Sequence, residues 1–146
     1  MSSVRPFAGP NLAPLDALRD ALASDPERSL LLCADGAWTV SDLAARAAQV
    51  AAALAVREIV PGCRVALMMG NRRQFFAAQY GIWMSGAVEV SVNPDLRGPS
   101  LAHVLRDSDP ALVIAEGALL TAIEEADPAF CAEVPMIDVE DRVLWR

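Results

Sequence analysis

Lysine is absent from these 146 residues: all twelve basic side chains are arginine. That excludes Schiff-base chemistry and any lysine-dependent phosphate loop within this stretch. Histidine occurs once, as His103, and cysteine three times, as Cys33, Cys63 and Cys131. None of them has CxxC or paired-histidine spacing, which argues against a zinc site. Scattered cysteines without a secretory leader fit a reducing, cytoplasmic setting. Apolar runs such as residues 50–56 are far too short to span a bilayer, so no transmembrane segment is expected. The patterns GxGxxG and GxxxxGK[ST] do not occur, and Ser85-Gly86 lacks the GxSxG spacing of a nucleophile elbow.

What is present is acidic and apolar. A net charge of −7 argues against a nucleic-acid or anionic-membrane binder, because those need clustered positive charge. Hydrophobic residues make up 54% of the chain. Such an excess fits a well-filled core, or faces that await a partner or another part of the same protein. The length predicts one domain, with residues 1–13 as a loose lead-in holding two prolines.

Apolar spacing places the elements. Leu15, Leu18 and Leu22 recur at helical intervals, and Asp25-Pro26 ends that helix. Residues 29–34 and 37–40 read as strands joined by an Asp35-Gly36 turn. Ser41 is the expected N-cap of a helix whose apolar face carries Leu43, Ala47, Val50, Ala51 and Leu54. Residues 65–69 form a buried strand, and Asn71 is the expected cap of the next helix. That helix is apolar nearly all round, through Phe75, Phe76, Tyr80, Ile82, Trp83 and Met84. Gly81 implies close helix–sheet packing, and Gly86 a left-handed cap. Strands follow at 87–92, 112–115 and 135–139, with helices from Gly98-Pro99 and over 118–126. Helix–strand alternation with uniformly apolar strands predicts a three-layer α/β fold, a mostly parallel sheet with helices on both faces.

Candidate chemistry is sparse. His103 could pair with Asp107 one helical turn on, which gives helix support. Asp107/Asp109 and Glu124/Glu125 offer paired carboxylates, but on positions that read as solvated surface. Arg72 and Arg73 at a helix start could hold a phosphate or simply face solvent. Phe75, Phe76, Tyr80 and Trp83 could line an acyl tunnel, although helical spacing suits core packing better.

A series of short segments resembles the adenylate-forming enzymes, which include acyl-CoA synthetases and the adenylation domains of peptide synthetases. Trp38-Thr-Val-Ser-Asp-Leu43, with Arg46 and Leu54, resembles that family's Thr-Tyr-x-Glu-Leu helix start. Val60-Pro-Gly-Cys-Arg-Val-Ala-Leu-Met-Met-Gly-Asn71 is similar to its Val-x-Pro-Gly-Asp-x-Val strand, with Cys63 where aspartate is usual. Phe75 to Ala77, Gly81 through Gly86-Ala87-Val88, Val92-Asn93-Pro94, Leu96-Arg-Gly, Leu101-x-His-Val-Leu-x-Asp-Ser108 and residues 111–115 continue the match. The likeness covers about residues 15–116, and its later part looks closer to the fatty-acyl ligases.

The resemblance implies the N-terminal subdomain of the adenylate-forming ligase fold. It also implies a reaction in which ATP and a carboxylate, with Mg²⁺, give an acyl-adenylate that CoA then attacks. The family's phosphate loop, acidic Mg²⁺ ligand, ribose-binding aspartate and catalytic lysine lie later than this chain reaches, so it is not expected to be catalytic alone. Within this region the resemblance nominates Asn93, Pro94 and Arg97 for the CoA side. The expected partner is the missing remainder of the ligase or a second copy of the chain. The alternatives are a non-catalytic interaction or dimerisation module derived from that fold, and a flavodoxin- or Rossmann-type nucleotide-binding domain. The last lacks its glycine-rich turn here.

Overall fold

Buried side chains alternate along the central strands and divide the core between two faces of one sheet. The computed structural model describes residues 14–34, 36–141, 144 and 145. Four parallel strands make that sheet: β3 (Arg64–Met68), β4 (Val88–Ser91), β5 (Leu112–Ala115) and β6 (Met136–Asp138), in the order β4-β3-β5-β6. A separate antiparallel hairpin pairs β1 (Ser29–Cys33) with β2 (Gly36–Thr39).

Val65, Leu67 and Ile114 point to one face, where helices α2 (Val40–Val56) and α3 (Arg73–Met84) pack. Ala66, Met68, Val113 and Ala115 point to the other, against α4 (Gly98–Ser108), α5 (Gly117–Ala126) and α6 (Pro128–Glu133). The result is the expected three-layer, mostly parallel α/β architecture. Every residue of β5 is buried, as a central strand covered on both faces requires. Helix α1 (Pro14–Ser24) packs through Leu18 on a third cluster with Val40, Leu43 and Ala77.

Several details differ from the sequence expectation. The cap of α2 is Thr39, not Ser41. The Thr39 hydroxyl accepts from the Asp42 N–H at 3.1 Å, and the Asp42 carboxylate accepts from the Thr39 N–H at 2.9 Å. This reciprocal box satisfies two donors that a helix start leaves free, which a lone Ser41 cap could not do. Asn71 does not cap α3. The N-cap is Arg72, and it makes no side-chain capping bond.

Gly81 approaches a helix rather than the sheet. A Cβ there would lie 2.5 Å from Val50 Cβ and 2.8 Å from the Ala47 carbonyl oxygen, both on α2. The buried face of α3 is accordingly made of small residues, Ala77, Ala78 and Gly81, together with Ile82. Gly86 does take the left-handed conformation, at φ +76°. Helix α6 had no counterpart in the expectation. The lead-in 1–13 and Asp35 of the expected turn lie outside the described residues.

Candidate functional site at the carboxyl ends of the strands

In an open parallel sheet, ligands bind beyond the carboxyl ends of the strands, above all where successive crossovers leave on opposite faces. Here that switch falls between β3 and β5. The connection from β3 runs through α3 on one face to β4, and the connection from β5 runs through α5 on the other face to β6.

The crevice is lined by Gly70 and Arg72 after β3, Glu116 after β5 and Glu140 after β6. The Gly70 N–H donates to Glu116 Oε1 at 2.9 Å. Arg72 Nη1 stands 3.7 Å from Glu116 Oε2, and Arg72 Nη2 donates to Glu140 Oε1 at 2.8 Å. Arg72 therefore serves two carboxylates, whereas the sequence suggested a phosphate-holding or solvent-facing cation at a helix start. Its neighbour Arg73 lies over the Trp38 ring, 5.2 Å from the centroid, and donates to the Ala37 carbonyl at 3.4 Å. Sequence reading missed Glu116 and Glu140. For Glu116 the one signal was position, a carboxylate directly after the apolar strand β5; Glu140 stands two residues beyond the end of β6.

Asn93, Pro94 and Arg97 sit together in the loop between β4 and α4, at the carboxyl end of the outermost strand. The Asn93 side-chain carbonyl accepts from the Asp95 N–H at 2.9 Å, which fixes the turn. Arg97 Nη1 donates to the carbonyls of Pro94 and Leu96 at 2.6 and 2.7 Å. The Arg97 side chain is exposed, and its Nε and Nη2 make no bond to the described residues. That half of the guanidinium faces solvent with the donor geometry that suits a phosphate.

The remaining candidates are not gathered into a site. His103 and Asp107 are both exposed on α4 and do not pair. Asp109 lies at the opposite, amino end of the sheet, where Arg64 Nη2 donates to its carboxylate at 2.7 Å. Glu124 and Glu125 are exposed. Phe75 packs on the core below α3, while Phe76 and Tyr80 pack on the α1–α2 cluster, so these rings act as core. Phe75 meets Phe76 edge-on, with centroids 5.5 Å apart, and Tyr80 meets Trp83 at 5.1 Å. Among the described residues no three His, Cys, Asp or Glu side chains gather at a distance that would hold a metal ion. None of the described helices is long and apolar enough to cross a membrane.

Comparison with known proteins bears on the family and the fold. The family described as "AMP-binding enzyme" matches residues 18–144. A plipastatin synthase polypeptide of Bacillus subtilis is 34% identical over 98 residues, which is 67% of this chain and 4% of that protein. The medium/long-chain-fatty-acid–CoA ligase FadD6 of Mycobacterium tuberculosis is 34% identical over 107 residues, 73% of this chain and 18% of that one. Among solved structures, VinN in complex with 3-methylaspartate superposes with a TM-score of 0.79 at 28% identity. That superposition covers 89% of this chain and 34% of VinN. The chain thus spans less than a fifth of each of these two curated relatives.

Proposed function

Because the chain belongs to the AMP-binding enzyme family, we propose that it forms the N-terminal α/β part of an acid–CoA ligase of the fatty-acyl type. In the whole protein, ATP with Mg²⁺ activates a carboxylate as its adenylate, and CoA then takes the acyl group. The observation that carries this reading is the family match over residues 18–144, set on the expected three-layer sheet. Similarity to a fatty-acid–CoA ligase supports the substrate class; the equal identity to a plipastatin synthase polypeptide does not separate the two.

The contribution assigned to these residues is binding and support. Asn93 and Pro94 shape the loop after β4, and Arg97 offers its free Nε–Nη2 edge to a phosphate of CoA. CoA supplies the thiol that accepts the acyl group. The described residues do not fit a Mg²⁺ site of their own, and the chain contains no lysine to stabilise the developing charge on phosphorus. On this reading adenylation is assigned to other residues of the whole ligase, and the segment is not expected to be catalytic by itself.

The CoA assignment is tested in a ligase that carries this segment together with the rest of the family's sequence. Arg97→Ala is expected to raise KM for CoA about tenfold, as the loss of one charge-assisted contact of roughly 1.5 kcal/mol implies. ATP–pyrophosphate exchange should stay unchanged. Equal loss in both half-reactions would contradict the assignment.

A second reading, an interaction or dimerisation module, is favoured by one observation. Leu32 and Val56 are 81% and 83% exposed, unusual for large aliphatic side chains. Light scattering that shows a monomer at all concentrations would remove it.

A further inference from the structure

A cavity of about 430 Å³ lies between α2, the start of α3 and the segment after β6. Among the described residues it is lined by Trp38, Arg46, Arg73, Gln74, Glu140 and Trp145. Its volume falls in the range of small-molecule sites. Two indole rings supply its apolar surface. Trp145 is fixed, because its Nε1–H donates to the Val139 carbonyl at 2.7 Å. Trp38 carries the Arg73 guanidinium, 5.2 Å from its ring centroid. Both rings are half-buried and so keep some surface for an occupant. Such rings take another planar ring by offset or edge contact.

Charge selects the sign of that occupant. The chain as a whole carries −7, yet two of these six side chains are arginine and one is a carboxylate. That carboxylate, Glu140, already accepts from Arg72 Nη2 at 2.8 Å. Asp42 also acts on Arg46 and Arg73 through its charge, but its oxygens are committed to the Thr39 cap. Arg46 is exposed, and its hydrogen bond among the described residues is a long one, from Nη1 to Gln49 Oε1 at 3.4 Å. Its guanidinium is therefore open to a carboxylate, which it suits in shape and charge.

A separate observation asks for a hydrogen-bond donor. The Gln74 side-chain oxygen is buried and accepts from no donor. An orphan acceptor of this kind is costly and is normally met by a water or a ligand. The terminal torsion of glutamine is broad, so a turn of the amide presents the oxygen to the cavity.

We propose that this cavity binds a planar aromatic carboxylate that carries a hydroxyl group. The ring lies against Trp38 and Trp145, the carboxylate meets Arg46, and the hydroxyl donates to Gln74 Oε1. This proposal does not rest on the CoA-ligase reading, because it concerns only the walls of the cavity.

The probe is 4-hydroxybenzoate, whose carboxylate and hydroxyl lie at opposite ends of the ring. The chain has three tryptophans, hence three indole N–H resonances. On titration of the full chain, those of Trp38 and Trp145 should move saturably. That of Trp83, which packs against Tyr80 and does not line the cavity, should stay. Arg46→Ala should weaken binding about tenfold, as the loss of one charge-assisted contact implies. Arg46 is exposed on α2, so that variant leaves the core intact. Benzoate, which lacks the hydroxyl, should bind wild type less tightly than 4-hydroxybenzoate does. Gln74→Met, which keeps the length of the side chain without its oxygen, should remove that difference. If Gln74→Met does not fold, the benzoate and Arg46→Ala comparisons decide alone. Overturning results are the absence of a saturable shift up to about 10 mM ligand, equal shifts of all three indoles, or phenol binding as tightly as 4-hydroxybenzoate. A saturable response to inorganic phosphate with none to either benzoate would also overturn it.

Discussion

At the scale of single residues, the contacts that matter most involve backbone. Gly81 lets α3 lie directly on α2, with no room for a methyl group between Val50 Cβ and the Ala47 carbonyl. Alanine is normally the better helix former by about 1 kcal/mol. Here overpacking outweighs that gain, because one of the atoms met is main chain and cannot rotate away. Gly81→Ala is expected to destabilise by about 1–3 kcal/mol in urea unfolding. The Thr39–Asp42 box makes a second prediction. Thr39→Ala should cost about 1 kcal/mol by the same measurement, whereas Ser41→Ala should cost much less, because Ser41 caps nothing. The Thr-Val-Ser-Asp spelling already held this box, since a hydroxyl residue three before an acid is its signature. A neighbouring serine offered a simpler and incorrect choice. Gly81 was legible as a close-approach position, but which surface approaches it depends on how α2 folds back, and no local pattern records that.

At the scale of elements, the strands were readable because each is a short apolar run bounded by Gly, Pro or Asp. Helix α6 was not. Six residues hold too few turns to display a helical period, and a long-range clamp ties the helix to α4. Arg106 on α4 bonds both oxygens of Asp127 at 2.7 and 3.0 Å and reaches Glu133 at 2.6 Å. Its guanidinium also lies over the Phe130 ring, 5.5 Å from the centroid. Asp127 in turn accepts from the Phe130 N–H at 2.9 Å, as the cap of α6.

Arg106, with help from the Phe130 N–H, holds the Asp127 carboxyl down at about 2, well below its ordinary value. The folded protein thus binds this proton less readily than the unfolded chain does. The resulting stability is complete above the ordinary aspartate range, near pH 5. It is lost progressively as pH falls through about 4 towards 2. Acid titration of the unfolding midpoint should show this loss in wild type. In Asp127→Asn the same window should be flatter, and an unchanged slope would contradict the clamp. At the same C-terminal end of α4, Arg64 donates to the Ser108 and Asp109 carbonyls and so satisfies acceptors that the helix end leaves free. Asp109 is left-handed there at φ +44°, a conformation costly for most residues but tolerated by aspartate.

At the scale of the whole molecule, the architecture and the site had different legibility. Alternating elements and uniformly apolar strands predict the parallel three-layer sheet from composition and spacing alone. The loop carrying Asn93, Pro94 and Arg97 was placed by resemblance, and the structure puts it at a strand's carboxyl end with half of Arg97 turned outward. The crevice between β3 and β5 could not be read from the sequence. It joins Gly70, Arg72, Glu116 and Glu140, which only the strand order brings together. The central proposal is that these residues build the N-terminal part of an acid–CoA ligase and leave adenylation to the rest of the protein. Its most direct test is pyrophosphate release by the purified 146-residue chain supplied with ATP, Mg²⁺ and a fatty acid. The expected result is release no faster than in a control without protein; release above that control, dependent on the fatty acid, would contradict the proposal.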